Sequence, residues 1–482
     1  MENSAADLAI IGSGSGNSLI TPFWDSRRVV IAEAGVFGGT CLNVGCIPTK
    51  MFVRPAALAR VPEEAARLGV GQRTESVDWP GMRDRIFGRI DAISAAGERY
   101  RRDDLDHVEL ISQQVRLTGT HSFESSDGAR VDAAQLVIAA GSRAVLPEIP
   151  GIDLPHVHTS DTVMRLAELP KRVLVIGGGY IAAEFANVFS AFGSEVVQAH
   201  RGAQLLKRAD ADIASRFTAE AARQWDLRLD RDVTAIRHAD DGGVIADLAP
   251  SGSPALHAEP GSAERVAADI VLVATGRRPN SDRVGAAEAG LDLHPDGRIA
   301  VDSFQRVLSG GKPVRGLYAL GDISSAAQLK HVANHEARVV AHNLEHPDDL
   351  RESRRDAVPS AVFTDPEVAQ VGLTEAEAVT ALGAEHVTSY LQAYGDTAYG
   401  WALEDSSGVF KVIADRRDGR ILGAHVMGYQ ASNLIQVVIS AMSFGIDAHT
   451  AARGQYWIHP ALMEVAENAL LGLDVATPSS AR

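Results

Sequence analysis

Cysteine is almost missing from this chain, with two residues in 482, at positions 41 and 46. That excludes a disulfide-stapled extracellular scaffold, which depends on many cysteines around a small core. Lysine is also scarce, at six of 46 basic residues, and aromatic residues make up 5% of the sequence. No stretch carries eighteen uninterrupted apolar residues, so no transmembrane helix is expected. An excess of positive charge is absent: the formal net charge is −16, which argues against nucleic acid and anionic membrane surfaces as partners. Met1–Asp7 lacks a basic region and runs straight into a strand, so no signal peptide is expected and the expected location is cytoplasmic. None of the sixteen histidines falls in a metal-ligand spacing, so no metal is expected. The remaining composition, 45% hydrophobic and 22% charged, is that of a globular protein long enough for roughly three domains.

Both cysteines lie in the segment Gly38-Gly39-Thr40-Cys41-Leu42-Asn43-Val44-Gly45-Cys46-Ile47-Pro48-Thr49-Lys50. Isolated cysteines are most often buried and inert. Two placed at random, however, fall this close only about one time in fifty. Thiols at this spacing in a glycine-rich stretch can close a small disulfide ring and open it again when electrons arrive. In a reducing compartment a lasting structural disulfide would be unusual, whereas a catalytic one would not. Lys50 adds a cation within one helical turn, where it can stabilise a thiolate or an anionic cofactor.

Two dinucleotide-binding patterns flank this reading. The apolar strand Leu8–Ile11 ends in Gly12-Ser13-Gly14-Ser15-Gly16-Asn17, and the next strand, Val29–Ala32, ends at Glu33. Small residues let the backbone approach a pyrophosphate, and an acid some twenty residues later holds a ribose hydroxyl. Pro22 falls early in the expected helix, which must be short or begin irregularly. The pattern recurs as Arg172–Ile176, then Gly177-Gly178-Gly179-Tyr180-Ile181-Ala182, with a helix through Glu184 and Phe189. Its second strand, Glu195–Ala199, closes on His200-Arg201 with no acid. Arg201, with Lys207 or Arg208 one short loop later, suits a 2′-phosphate rather than a free 2′-hydroxyl. Two such folds imply two dinucleotides, FAD and NADPH being the economical pair.

Two later segments suggest that the first of these domains is split: the strand 271–275, which enters a turn at Gly276, and the strand 316–322, which closes on Asp322. Asp322 would bond the sugar-like chain of a flavin or else cap the helix expected near Gln328. A shorter echo, Val137–Arg143 with Gly141, returns the chain toward the second fold. The last third suggests a mixed sheet with helices, such as Leu434–Phe444, and one surface buried against a partner. The tail Thr477–Arg482 is expected to fray. The expected fold class is therefore α/β, with two Rossmann-like dinucleotide-binding domains and a C-terminal α+β dimerisation domain. The expected boundaries are 1–150 and 281–345 for the split FAD domain, 151–280 for the NADPH domain and 346–482 for the interface domain.

GGTCLNVGCIPTK at 38–50, GGGYIAAEFA at 177–186, ATGRRPN at 274–280, LYALGD at 317–322, FTDPEVAQVGLTE at 363–375 and HPALMEVAEN at 459–468 occur in one order over nearly the whole chain. In this the sequence resembles the pyridine nucleotide–disulfide oxidoreductases, the family of glutathione reductase and dihydrolipoamide dehydrogenase. The resemblance implies a homodimer in which Cys46 lies against the flavin as the charge-transfer thiolate and Cys41 is the interchange thiol that attacks substrate. It implies that Lys50, paired with Glu184, sits near the flavin's reactive nitrogen and that Tyr180 covers the nicotinamide pocket. His459, oriented by Glu464, would be the general acid/base and would reach the active site of the other subunit. The implied cofactor contacts are Gly12, Gly14, Gly16, Glu33, Thr40, Lys50, Gly141 and Asp322 for FAD. For NADPH they are Gly177, Gly179, Tyr180, Ala182, Arg201, Lys207 and Gly276.

Having no further cysteine separates the chain from family members that carry extra thiols. Where glutathione reductases carry an arginine shortly after the first glycine loop, Ser18–Trp24 holds no cation. A low-molecular-weight disulfide richer in sugar hydroxyls and poorer in carboxylates fits that absence. Arg338 matches a substrate-side position of the glutathione enzymes. The rivals are dihydrolipoamide dehydrogenase, glutathione-reductase-like activity and, in another class, a flavin-binding scaffold without turnover.

Overall fold

The structure, a computed structural model, describes residues 4–252 and 264–476, so the tail 477–482 lies outside the described residues. The first sheet is built on five parallel strands in the order Lys312–Ala319, Arg130–Ile138, Ser4–Ile11, Val29–Ala32 and Val108–Ile111. Val29–Ala32 is buried at every position, as expected of a parallel strand covered on both faces. The second sheet runs Asp226–Leu229, Glu195–His200, Arg172–Ile176, Ile270–Val273 and Val157–His158, again all parallel. In each sheet the strand that leads into a glycine loop is central and its chain neighbours lie on opposite sides, the switch point where dinucleotides bind.

The two loops are built alike. Gly12 N donates to Ala32 O at 2.8 Å, and Ala139 N donates to Ile11 O at 2.8 Å. In the second domain Gly177 N donates to Ala199 O at 2.9 Å, and Ala274 N donates to Ile176 O at 2.8 Å. Gly12 and Gly177 take φ of 106° and 135°, and a Cβ on either would stand 2.3 Å from the carbonyl oxygen of Ala139 or Ala274. Only glycine fits both the conformation and the space.

Three expectations are corrected. The strand Ile270–Val273 lies in the second sheet, within the expected bounds 151–280 of the second domain, and not with the strand 316–322 in the split first domain. It is the second domain's counterpart of Arg130–Ile138, and the segments that follow the two, Ser142–Ala144 and Arg277–Pro279, pair with each other. The C-terminal sheet is antiparallel throughout, in the order Pro359–Val362, Glu367–Gly372, Ile421–Gly428, Val409–Asp415 and Val387–Ala393. Its Val409–Asp415 and Ile421–Gly428 strands are joined by a short hairpin turn, which demands that direction. The helix expected over Leu434–Phe444 is two, Ala431–Leu434 and Gln436–Phe444.

The helix following the first glycine loop is short, as Pro22 requires, and is replaced by two 3-10 turns, Gly16–Leu19 and Pro22–Trp24. Trp79 stacks between Phe52 and Phe189, with ring centroids 4.8 and 5.8 Å away. This ties the helix Cys46–Arg67 to the helix Tyr180–Ala191 of the second domain. Among the described residues no helix is long and apolar enough to cross a membrane.

One buried ionic cluster joins the C-terminal sheet to the second domain. Lys411, 3% exposed, donates to Asp210 at 2.8 Å and Asp212 at 2.6 Å and pairs with Glu375 at 2.7 Å. Burial works against the charged lysine, but its three carboxylate partners prevail and hold the ammonium above its ordinary range. Asp212 and Glu375 are about half exposed, but removing Lys411 strands the buried Asp210 carboxylate and costs about 3 kcal/mol or more. Lys411→Met is therefore expected to lower the thermal unfolding midpoint by several degrees. An unchanged midpoint would show that the cluster contributes nothing.

Candidate active site

Cys41 sits on the short helix Gly39–Asn43, and Cys46 is the first residue of the long helix Cys46–Arg67. Pro48 and Thr49 lie in the first turn of that helix, where proline's missing N–H has no helical partner to lose. Thr49 Oγ1 closes the turn by donating to Gly45 O at 2.7 Å. Cys46 therefore occupies the positive end of a helix macrodipole, which favours a thiolate.

Both cysteines are free thiols with unlike environments. Hydrogen bonding from Cys41 is the largest influence on Cys46 and, with the Lys50 charge, holds its thiol down to about 6 against the opposing effect of burial. The same proton, together with burial, pushes Cys41 well above the usual thiol range, and Lys330 pulls it down. The first proton lost by the pair is therefore the one on Cys46.

Lys50 lies one helical turn beyond Cys46. Its Nζ donates to both carboxylate oxygens of Glu184 at 2.6 Å and stands 4.6 Å from the centre of the Phe363 ring. Glu184 is buried and also accepts the Phe363 backbone N–H at 2.9 Å. The three sheets' domains therefore meet at this one carboxylate.

A cavity of about 560 Å³ opens over these groups. It is lined by Gly12, Gly14, Glu33, Thr40, Cys41, Cys46, Lys50, Gly141, Tyr180, Glu184 and Asp322, all expected from the sequence. Glu33 accepts from Ser13 N at 2.9 Å and Ser13 Oγ at 2.7 Å, and its other oxygen accepts from Gly35 N at 2.8 Å. Asp322 accepts from Ser142 Oγ at 2.6 Å. It does not cap the helix Lys330–Glu345, whose N-cap residue is Leu329 and carries no side-chain cap. The Tyr180 ring is 42% exposed.

Other expected residues lie elsewhere. Gly16 is buried outside the cavity, where a Cβ would come within 2.8 Å of the Ile10 side chain, so packing on the first strand accounts for it. Gly177, Gly179 and Ala182 form the start of the helix Tyr180–Ala191 and do not line the cavity, nor does Gly276. Arg201 and Lys207 are exposed after the strand Glu195–His200 and make no ion pair among the described residues. His459 Nδ1 shares a 2.6 Å hydrogen bond with Glu464 Oε1, but the imidazole is 74% exposed and outside the cavity of its own chain. Its neighbours Tyr456 and Ile458 are exposed as well, so this loop projects an apolar face with no cover in the monomer.

Sequence reasoning missed three groups. Ser13 links Glu33 to Gly38, whose N–H donates to the Ser13 hydroxyl at 2.8 Å. Arg277 donates to the Ser142 hydroxyl at 2.8 Å and carbonyl at 2.7 Å, at the junction of the two nucleotide domains. Lys330 donates to Ser15 at 2.9 Å across 315 residues of sequence. The only sequence signal for Lys330 is the rarity of lysine itself.

The geometry matches known proteins over nearly its full length. The family profile described as pyridine nucleotide-disulphide oxidoreductase matches residues 6–337. The dimerisation domain of the same family matches 358–470. The chain is 49% identical to mycothione reductase of Mycobacterium tuberculosis (strain H37Rv), with 97% of this chain and 99% of the relative covered. It is 32% identical to glutathione reductase of Burkholderia cepacia, covering 96% and 98%. Among solved structures, the Cu(II) complex of the HOCl-induced flavoprotein disulfide reductase RclA from Escherichia coli superposes with a TM-score of 0.81 at 26% identity, covering 98% and 99%.

The polarised thiol pair makes a direct prediction. Cys41→Ala removes the largest influence that lowers Cys46 while leaving Lys50 in place. The Cys46 titration midpoint should then rise from about 6 toward its ordinary 9.0 by a unit or more, measured by thiolate ultraviolet absorbance against pH. A midpoint that stays near 6 would assign the thiolate to the helix end and Lys50 alone.

Proposed function

The chain belongs to the pyridine nucleotide-disulphide oxidoreductases, and from this we propose that it is an FAD-dependent, NADPH-consuming reductase of mycothione that works as a homodimer. The observation that carries the reading is the Cys41–Cys46 pair, one thiol held low and the other high, opening on a cavity lined by Gly12, Gly14, Glu33, Gly141 and Asp322. The residues fit a flavin dinucleotide. Gly12 and Gly14 leave the backbone bare at the cavity wall, Glu33 stands at the end of its strand for a ribose, and Asp322 faces the same space. FAD bound there supplies two-electron transfer between the nicotinamide and the sulfur pair. We assign that domain to residues 1–150 and 281–345, the NADPH domain to 151–280 and the interface domain to 346–482. Sheet membership supports this division, because strands from 4–138 and 306–319 share the first sheet while 157–273 supply the second.

The protein's own groups act as follows. Lys50 is held in place by Glu184 and keeps a positive charge beside Cys46. Tyr180 shields the nicotinamide side until NADPH displaces it. Arg201 and Lys207, free of carboxylates among the described residues, take the 2′-phosphate. Cys41 loses its proton and attacks one sulfur of the substrate; the substrate S–S bond breaks and the first thiol leaves with a proton. The Cys46 thiolate then attacks Cys41 in the mixed disulfide, the second product leaves as a thiolate that takes its proton from water, and the Cys41–Cys46 bond is restored. His459 takes the first proton and returns it to the departing thiol, with Glu464 fixing its ring. The family resemblance implies that His459 serves the sulfurs of the second subunit; its exposure outside its own cavity, beside the exposed Tyr456 and Ile458, supports this.

Mycothione is the preferred substrate in this reading. The identity to mycothione reductase is 49% against 32% for a glutathione reductase, and Ser18–Trp24 carries no cation for a substrate carboxylate. A steady-state assay of the purified enzyme against mycothione, glutathione disulfide and lipoamide in parallel tests it. We expect kcat/KM highest for mycothione with NADPH; preference for lipoamide with NADH would make the protein a dihydrolipoamide dehydrogenase instead. Arg201→Ala is expected to raise the KM for NADPH about tenfold and leave the NADH rate unchanged. Equal effects on both nucleotides would remove Arg201 from the 2′-phosphate.

A further inference from the structure

Two lysines line the cavity, and they differ in one respect. Lys50 is balanced by Glu184, whereas Lys330 has no carboxylate partner among the described residues. Lys330 is half-buried, opens the helix Lys330–Glu345 and donates only to the neutral hydroxyl of Ser15. A partly desolvated cation without a counter-charge is poised for an anion that forms later.

The backbone shows which anion. Ser15 follows Gly14, and Gly14 packs directly on Gly39, where a Cβ would come within 2.7 Å of the Gly14 Cα. Gly39 begins the helix that carries Cys41 two residues on. Lys330, Ser15, Gly14, Gly39 and Cys41 thus form a continuous path, and both its ends line the cavity. Lys330, Lys50, Glu184 and Tyr180 line the same cavity as the two sulfurs, as do Glu33, Asp161, Asp322, Arg143, Arg277 and Arg283. Of the two lysines, Lys50 acts on Cys46 and Lys330 on Cys41.

We propose that Lys330 is a positioning residue for the attack step: tethered by Ser15, it supplies the positive charge that stabilises the Cys41 thiolate when its proton leaves. This rests on Cys41 being the attacking thiol. At rest the negative charge sits on Cys46, which holds the Cys41 proton in place. Attack requires Cys41 to become the anion beside that sulfur, and a cation dedicated to Cys41 offsets the repulsion. No new bond or electron carrier is needed, and Lys330 exchanges no proton with the sulfurs in this step.

The test uses the flavin-loaded Cys46→Ser protein, in which Cys41 is the only thiol of the chain. Alkylation by uncharged iodoacetamide is followed against pH with Lys330 intact and as Lys330→Met. We expect Lys330→Met to slow alkylation at neutral pH about tenfold and to move the profile up by about one pH unit. Lys330→Arg should restore most of the rate. Ser15→Ala removes only the tether and should shift the profile the same way by a smaller factor, so the result does not hang on one substitution. Superimposable profiles for the lysine and methionine proteins would overturn the proposal. Loss of bound flavin with an unchanged Cys41 profile would overturn it too and assign Lys330 to the cofactor's phosphates. No disulfide substrate enters the measurement, so its failure leaves the mycothione reading standing, and failure of the substrate assay leaves this result intact.

Discussion

The Lys50–Glu184 pair is the constraint on which the rest of the site depends. It fixes a cation one helical turn from Cys46, and the carboxylate that fixes it belongs to the other nucleotide domain. Because Glu184 also accepts the Phe363 N–H, one buried carboxylate joins the redox helix, the second dinucleotide fold and the C-terminal domain. The arrangement carries a compromise. Glu184 raises the Cys46 thiol slightly through its own charge, while the lysine it holds lowers it. The influence of the lysine is the larger of the two, and the helix end adds to it.

From that fixed point the two sulfurs acquire separate duties. One proton between them makes Cys46 acidic and Cys41 basic, which suits a resting thiolate at the first and a late, controlled attack from the second. A protein with the same two cysteines in equal surroundings would lack that order. The carboxylates Glu33 and Asp322 are engaged with Ser13, Gly35 and Ser142, which fixes their orientation at the cavity wall. His459, the proposed base, sits on another surface altogether, in a loop that also exposes Tyr456 and Ile458.

Much of this was legible in the chain because it is local. Parallel strands such as Val29–Ala32 are continuous apolar runs, glycine loops follow them at once, and Pro22 announced that the usual helix could not form. What escaped depends on pairings distant in sequence. The strand Ile270–Val273 ends in Ala274-Thr275-Gly276, and Arg130–Ile138 ends in Ala139-Ala140-Gly141; the texture is the same, and only the sheet pairing shows that they are counterparts in different domains. Gly16 belongs to the loop's glycines and packs closely against Ile10, a contact that its place in the sequence does not record. Lys330 carries no motif, because its meaning comes from Ser15, 315 residues away. The placement of His459 outside its own cavity could be anticipated only from family resemblance, since no feature near His459 in the sequence records a second chain.

The most direct measurement counts thiols. The oxidised, flavin-loaded protein is given one equivalent of NADPH per subunit without air, then denatured and titrated. The account predicts that the count rises from zero to two per chain, at Cys41 and Cys46, the only cysteines present. A count that does not change while the nicotinamide is oxidised would mean that the sulfurs take no electrons, and the mechanism would be wrong.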